Sequence, residues 1–168
     1  AWSTTLDVTG VADSASVSIT ANHIDSAGNS ATQASATVVK DTAIPTVAIT
    51  SSPVINNTNR AAYTVSGTCS ENTRPVSVNV GGITASPTCS SSAWTTTLNV
   101  TALADNSSIS ITADHEDAVG NDANQATASV LKDTVIPTVA ITAPSIINNA
   151  NNTAYTVTGS CSENGRTV

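Results

Sequence analysis

Residues 93–100 read Ala-Trp-Thr-Thr-Thr-Leu-Asn-Val, and residues 1–8 read Ala-Trp-Ser-Thr-Thr-Leu-Asp-Val. One stretch therefore occurs twice, at a spacing of 92 residues. Its larger side chains fall on alternate positions, which is the period of a β-strand with one buried face. In the second copy the residues that share this face are Trp94, Thr96, Leu98 and Val100.

The duplication extends outward from this stretch over the entire chain. Residues 1–76 align with residues 93–168 without a gap, and 48 of the 76 pairs are identical. A repeat of this length is a whole small domain copied in tandem. Because 168 residues are fewer than two full repeats, we expect the chain to be part of a longer array, beginning and ending inside a repeat.

No stretch shows a sustained helical period, whereas alternation of period two recurs along the chain. Turn residues separate the alternating runs, for example at Gly81-Gly82 and Gly120-Asn121. Six or seven short strands per 92 residues predict an all-β fold of tandem Ig-like antiparallel β-sandwiches. The alternating positions are Val47 and Ile49; Tyr63, Val65, Gly67 and Cys69; Val76, Val78 and Val80; Ile109 and Ile111; and Ala126, Ala128 and Val130.

The motif Lys-Asp-Thr-x-Ile-Pro, at residues 40–45 and 132–137, marks the boundary between units. Its proline lacks a donor N–H and stiffens the entry to the first strand. We therefore predict strands E, F and G of one domain in residues 1–40, a complete domain in 41–132, and strands A and B of a third in 133–168. The outer segments should present exposed strand edges unless the parent chain continues or another chain supplies the missing strands.

The composition limits the classes of partner and the size of the core. Five Lys and Arg residues and a formal net charge of −7 argue against nucleic acid or an anionic membrane as a partner. No apolar run is long enough to span a membrane. With 2% aromatic residues and no Phe, each unit has a thin core that a covalent cross-link would help.

The three cysteines suit such a cross-link. Cys69 and Cys89 lie 20 residues apart in one repeat, and Cys161 is the copy of Cys69, whose expected mate falls beyond the end. We predict a Cys69–Cys89 disulfide and hence an oxidising compartment. The alternative is a pair of buried free thiols. A metal site is disfavoured because neither a CxxC motif nor paired histidines accompany the cysteines.

The sequence resembles the tandem bacterial Ig-like (BIg) domains of large surface adhesins and extracellular fibre proteins. The resemblance rests on Asp25-Ser26-Ala27-Gly28-Asn29 before the last strand, on its copy at residues 117–121 with Val119 in place of Ala27, and on the Asp-Thr-x-x-Pro junction that follows. It implies a stalk at the cell surface or in a biofilm. Antibody-type domains differ, because here the second cysteine precedes strand E and the tryptophan lies on strand E.

The densest acidic cluster follows strand F, and the Ig-like topology should bring the domain junction close to it. Converging carboxylate oxygens suit Ca²⁺, which takes six to eight oxygen ligands. The resemblance points the same way, since related adhesin stalks bind Ca²⁺ between domains and become rigid. The alternative is a solvated turn in which Asp and Asn bond their own backbone. The candidate ligands are Asp13, Asp41, Asp114, Glu116, Asp117, Asn121 and Asp122.

The first copy of this loop is poorer in acids, with Asn22, Ile24 and Ser30 at the positions of Asp114, Glu116 and Asp122. That difference argues against a strict ligand set in every repeat. If calcium does clamp the joints, EDTA should lower the melting temperature and loosen them.

Nothing in the sequence predicts an enzyme. His23 and His115 occupy the same repeat position, but no G-x-S-x-G motif supplies a nucleophile, so we interpret both as loop-edge histidines. The leading hypothesis is an extracellular stalk or fibre segment whose partners are neighbouring repeats, with possible self-association into fibres. The alternatives are a glycan- or protein-binding module, and a filament subunit completed by strand exchange between chains.

Overall fold

A computed structural model describes residues 1–142 and 144–168, and within them every regular element is a β-strand. None of these described stretches forms a helix that could cross a membrane. The strands in chain order are β1 (Ser14–Ala21), β2 (Ala34–Lys40), β3 (Val47–Ser51), β4 (Tyr63–Cys69), β5 (Val76–Val80), β6 (Ile83–Ala85), β7 (Ala93–Leu98), β8 (Asn106–His115), β9 (Ala126–Lys132), β10 (Val139–Ile141) and β11 (Gly159–Cys161).

The central seven strands, β3 to β9, form two antiparallel sheets. One sheet has the order β3-β4-β7 and the other the order β6-β5-β8-β9. The crossed order, with β7 returning to β4 and β8 to β5, is that of an Ig-like sandwich. The all-β prediction and the Ig-like class are therefore confirmed.

The core lies between the two sheets and is built by the alternation seen in the sequence. In β4, Tyr63, Val65 and Cys69 are buried, whereas Thr64 and Thr68 are exposed. Valine and isoleucine fill most of the remaining volume, and only two aromatic side chains contribute. The buried apolar residues are Ile55, Tyr63, Val65, Cys69, Val76, Val78, Val80, Cys89, Trp94, Leu98, Val100, Ile109, Ile111, Ala113 and Val130.

The tryptophan of β7 packs across a glycine of β4. Gly67 pairs with Trp94 in the ladder, and a Cβ on Gly67 would lie 2.6 Å from the indole Cε2 atom. The indole N–H donates to the carbonyl of Thr68 at 3.2 Å. Glycine is required here because only a missing side chain leaves room for the ring.

The segment after β3 crosses to the other sheet and pairs with the last strand. Ile55 is fully buried and forms a parallel bridge with Lys132. The Ile55 N–H donates to the Leu131 carbonyl, and the Asp133 N–H donates to the Ile55 carbonyl, both at 2.9 Å. The start and the end of this unit are thus joined by parallel strands.

A short edge strand, β6, does not appear among the alternating runs identified in the sequence. It follows a two-residue turn at Gly81 and Gly82, whose φ values are 59° and 99°. Two consecutive positive φ angles suit a hairpin turn between antiparallel strands. The side chain of Asn79 accepts the Gly82 N–H at 2.7 Å and helps to close the turn.

The outer segments form two separate two-stranded sheets, β1-β2 and β10-β11. Their apolar side chains are largely exposed, whereas the equivalent side chains of the central unit pack between its two sheets. Residues 1–8, where a strand E is predicted, form no strand in this structure, and the division of residues 1–40 into strands E, F and G stays a prediction. Their copy, β7, is held by β4, and residues 1–40 contain no equivalent of β4.

Candidate functional site

The loop after β8 closes on itself around Asp117. One carboxylate oxygen of Asp117 accepts the backbone N–H groups of Val119, Gly120 and Asn121 at 2.8–2.9 Å. The other oxygen accepts the Asn121 side-chain amide at 2.7 Å. Burial raises the pKa of Asp117, but these hydrogen bonds outweigh it and hold the pKa below the usual value.

The first copy of the loop has the same construction. Asp25 accepts the backbone N–H groups of Ala27 and Asn29 and the Asn29 side-chain amide. The Asn29 side chain, followed by its backbone N–H, lowers the pKa of Asp25. Gly28 and Gly120 have φ values of 90° and 94°, which favour glycine. The motif that carries the family resemblance is therefore a turn in which Asp and Asn bond each other.

The other acids of the cluster lie on the outside of the four-stranded sheet. Asp114, Glu116 and Asp122 line one shallow depression. Asp114 accepts a hydrogen bond from Gln125 at 2.8 Å, and Glu116 forms an ion pair with Arg74 at 2.7 Å. The described residues contain no group of three or more His, Cys, Asp or Glu side chains that could hold a metal ion.

The domain junction approaches this loop, as the sequence predicted, but through its backbone. The Asn121 side-chain amide donates to the Asp41 carbonyl at 3.1 Å. The Asp41 carboxylate accepts the Ala43 N–H at 3.0 Å and shapes the linker locally. Asp13 lies on the other side of the junction.

Asp13 holds the linker through three groups. It accepts the Lys40 ammonium at 2.8 Å, the Thr42 N–H at 3.0 Å and the Thr42 hydroxyl at 2.9 Å. These contacts, led by the Lys40 side chain, lower the pKa of Asp13 to about 2. Most of its lone-pair positions are therefore occupied by protein donors.

Asp105, the copy of Asp13, makes the same contacts one repeat later. It accepts the Lys132 ammonium, the Thr134 N–H and the Thr134 hydroxyl, each at 3.0 Å. The Thr134 N–H and then the Lys132 side chain lower its pKa. Sequence reasoning assigned no role to Asp105, Lys132 or Thr134. The signal was present, because the Ala-Asp dipeptide and the Lys-Asp-Thr motif recur at the same spacing.

The fit of these residues to calcium is poor. Asp117 and Asp13 already have their oxygens occupied, and the Lys40 ammonium stands where a cation beside Asp13 would have to bind. A hard cation needs six to eight free oxygens, which this arrangement does not gather. Calcium binding by the seven candidate residues remains a prediction.

His115 is a structural residue of the sandwich rather than a loop-edge histidine. It is buried; its Nδ1 atom lies 2.9 Å from the Pro75 carbonyl, and its Nε2 atom accepts the Glu71 N–H at 3.2 Å. The second contact makes Nδ1–H the donor to Pro75. Both ring nitrogens are thus engaged with the backbone. His23, its copy in the exposed outer segment, is exposed.

The predicted disulfide is present. Cys69 at the end of β4 is bonded to Cys89 in the loop before β7, with a Cα–Cα distance of 6.0 Å. The bond ties the loop to the three-stranded sheet and buries both sulfurs in the core. Cys161 is exposed and carries no disulfide within the part of the chain that the structure describes.

Two solved structures are similar to this chain. One is a tetra-tandem repeat in the extending region of a large adhesion protein, with a TM-score of 0.51 and 20% identity over 93% of this chain and 40% of that one. This chain therefore shares the fold of a repeat from a large adhesion protein. The other is from a 1.5-MDa bacterial ice-binding adhesin, with a TM-score of 0.45 and 21% identity over 77% of this chain and 46% of that one.

This chain spans less than half the length of either structure. No protein-family description matches its sequence, and no curated protein matches it either. At this level of identity, the similarity establishes the fold and leaves the activity to be argued from the residues.

Proposed function

We propose that this chain is a structural segment of an extracellular tandem array, a mechanical spacer that carries an adhesive part away from a bacterial surface or within a biofilm. The observation that carries the proposal is the repetition of the Asp-Lys-Thr contacts at both linkers. A device that recurs with the repeat serves the connection between units. A recognition or catalytic site usually occurs once.

Other features of the adhesin repeat support this function. The Asp-Asn turn is built twice with the same bonds. The outward faces of the sheets carry small hydroxyl side chains such as Thr64 and Thr97, whose Oγ1 atoms lie 3.0 Å apart. Such faces are well hydrated and display no aromatic platform. The disulfide supports an extracellular location because cytosolic thiols are kept reduced.

Binding assays with the intact chain test the proposal. The labelled protein is applied to a glycan array and to immobilised extracellular-matrix proteins. A spacer should show no saturable binding. Saturable binding that free sugar or soluble protein competes away would instead establish the alternative, a glycan- or protein-binding module.

A second candidate, assembly of filaments by strand exchange, is favoured by the exposed apolar residues of the outer segments. Trp2 is 77% exposed and Ile141 is 70% exposed, although their copies Trp94 and Ile49 contribute to the core. Gly159, the copy of Gly67, lies on β11 and could receive a tryptophan from another copy. Sedimentation velocity across a concentration series decides this question: growth of dimers and larger species supports strand exchange, and a monomer at all concentrations excludes it.

A further inference from the structure

We infer that the joint between repeats is held by direct hydrogen bonds from both neighbouring units and needs no metal ion. This inference rests on the proposed spacer function, because a joint matters only where units are strung together. The residues that position the linker are Asp13 in the preceding unit and Asn121 in the following unit.

The preceding unit fixes the direction in which the chain leaves it. Lys40 is the last residue of β2, and Asp13 lies in the loop just before β1. The Asp13 carboxylate accepts hydrogen bonds from the Lys40 ammonium and from the N–H and hydroxyl groups of Thr42, at distances of 2.8–3.1 Å. Charge-assisted hydrogen bonds of this length are stronger and more directional than neutral ones. Residues 40–42 therefore cannot rotate freely about the end of the strand.

The equivalent contacts at the next linker show that this arrangement belongs to the repeat. Asp105 holds Lys132 and Thr134 at 3.0–3.1 Å, and the Lys132 side chain is only 2% exposed. The same residue types meet through the same atoms in both copies, so the contact recurs with the repeat. The Asp-Lys-Thr contact is thus a regular part of the exit from each unit.

The following unit holds the same linker from the other side. The side-chain amide of Asn121 donates to the Asp41 carbonyl at 3.1 Å and to the Asp117 carboxylate at 2.7 Å. The two N–H bonds of one amide are thus divided between the turn and the linker. Because Asp117 also binds the backbone N–H of Asn121, the amide is oriented before it reaches Asp41.

Together these contacts leave no role for a bridging cation. Thr42 is held by the unit before it, and the adjacent Asp41 by the unit after it. The positive charge beside Asp13 is already supplied by Lys40, so a calcium ion there would meet a like charge. The joint should have the same geometry with and without calcium.

The test measures the distance distribution across the joint by double electron–electron resonance in the full chain. Spin labels are placed through Ser18→Cys on β1 and Ser110→Cys on β8, two exposed positions, in a Cys161→Ser background. We expect a narrow distribution that is the same in EDTA and in added Ca²⁺. The variants Asp13→Asn and Asn121→Ala should each broaden it, by about twofold or more, because a released linker samples many orientations.

Asp7→Asn is the matched control, since Asp7 is also exposed and bonds only Thr9. It should leave the distribution narrow. Thr42→Val, which removes one hydroxyl and keeps the shape, should broaden it less than Asp13→Asn does. Amide exchange at Thr42 provides a second measure: protection in the parent chain should be lost in Asp13→Asn. Circular dichroism confirms that each variant keeps its strands.

A parent chain that is broad in EDTA and narrow in Ca²⁺ would overturn the inference in favour of a calcium joint. A distribution that stays narrow in both Asp13→Asn and Asn121→Ala would overturn it as well. Neither result depends on whether the chain binds a glycan, so failure of the joint and failure of the spacer function can be told apart.

Discussion

Gly67 shows how the identity of one residue is dictated by its neighbours. A side chain there would collide with the Ala48 carbonyl of β3 and with the ring of Trp94. Gly67→Ala should therefore destabilise the unit by about 1–3 kcal/mol or more, the usual cost of overpacking. Gly10→Ala is the control, because no atom lies within 4 Å of the added Cβ. Urea unfolding of both variants measures the difference, and equal midpoints would contradict the prediction.

The buried hydroxyl group of Tyr63 should lower the free energy of unfolding. The residue is fully buried, burial raises its pKa, and its hydroxyl has no hydrogen-bond partner among the described residues. Its copy Tyr155, in the outer segment, donates to the Ser145 carbonyl at 2.6 Å.

Tyr63→Phe should consequently leave the free energy of unfolding unchanged or raise it, since an unpaired buried polar group is penalised. Tyr63→Ala, which removes the ring, should cost about 3–5 kcal/mol. Thermal and urea unfolding distinguish the two. A large loss of stability in Tyr63→Phe would mean that the hydroxyl has a partner.

The disulfide acts at the scale of the elements it joins, because it links the end of β4 to the loop before β7. Replacing both Cys69 and Cys89 by Ala should cost about 3 kcal/mol, the chain-entropy value for a loop of this length. The control Cys161→Ser should have no effect, because Cys161 is exposed. Melting curves with and without a reducing agent should show a drop for the parent chain and none for the double variant.

Most strands of the sandwich could be predicted from the sequence because their apolar residues alternate. The strand β6 was missed because three residues are too few to show a period, and its signal was the turn at Gly81 and Gly82. Residues 1–8 carry a strand pattern and form no strand, because pairing needs a partner that the pattern itself cannot supply.

The sequence predicted where the candidate site lies, and calcium binding there stays a prediction. The sequence brought the loop of Asp117 and the junction at Asp41 together correctly. It could not show that most of these carboxylates would accept hydrogen bonds from a neighbouring N–H group or from Lys40, Arg74 or Gln125. The same acidic sequence can bind a cation or form hydrogen bonds with its own backbone. Only the geometry of the folded loop distinguishes a cation site from a self-bonded turn.

At the scale of the whole molecule, the joints should respond to acid. The pKa of Asp13 falls from 3.8 to about 2 on folding, and that of Asp105 also falls. A carboxylate whose pKa is lowered on folding stabilises the folded state at pH values above its ordinary pKa. This stabilisation is lost as the pH drops through the pKa of the folded state.

The linker contacts should therefore persist at neutral pH and weaken between pH 3.8 and about 2. Unfolding by urea as the pH falls below 3.8 measures the effect, and Asp105→Asn should show a flatter dependence on pH than the parent chain. Identical slopes in the two proteins would contradict the assignment of the effect to Asp105.

The parallel bridge between Ile55 and Lys132 determines how a unit gives way under tension. A pull on its two linkers slides these strands past each other, so both 2.9 Å hydrogen bonds are strained together rather than one after another. Once these hydrogen bonds break, the Cys69–Cys89 disulfide prevents the residues between the two cysteines from extending. Each opened unit should then lengthen by about 70 Å less than an uncrosslinked one, at roughly 3.5 Å per residue over the 20 residues between the cysteines, so a stretched chain of such units would gain length in short steps.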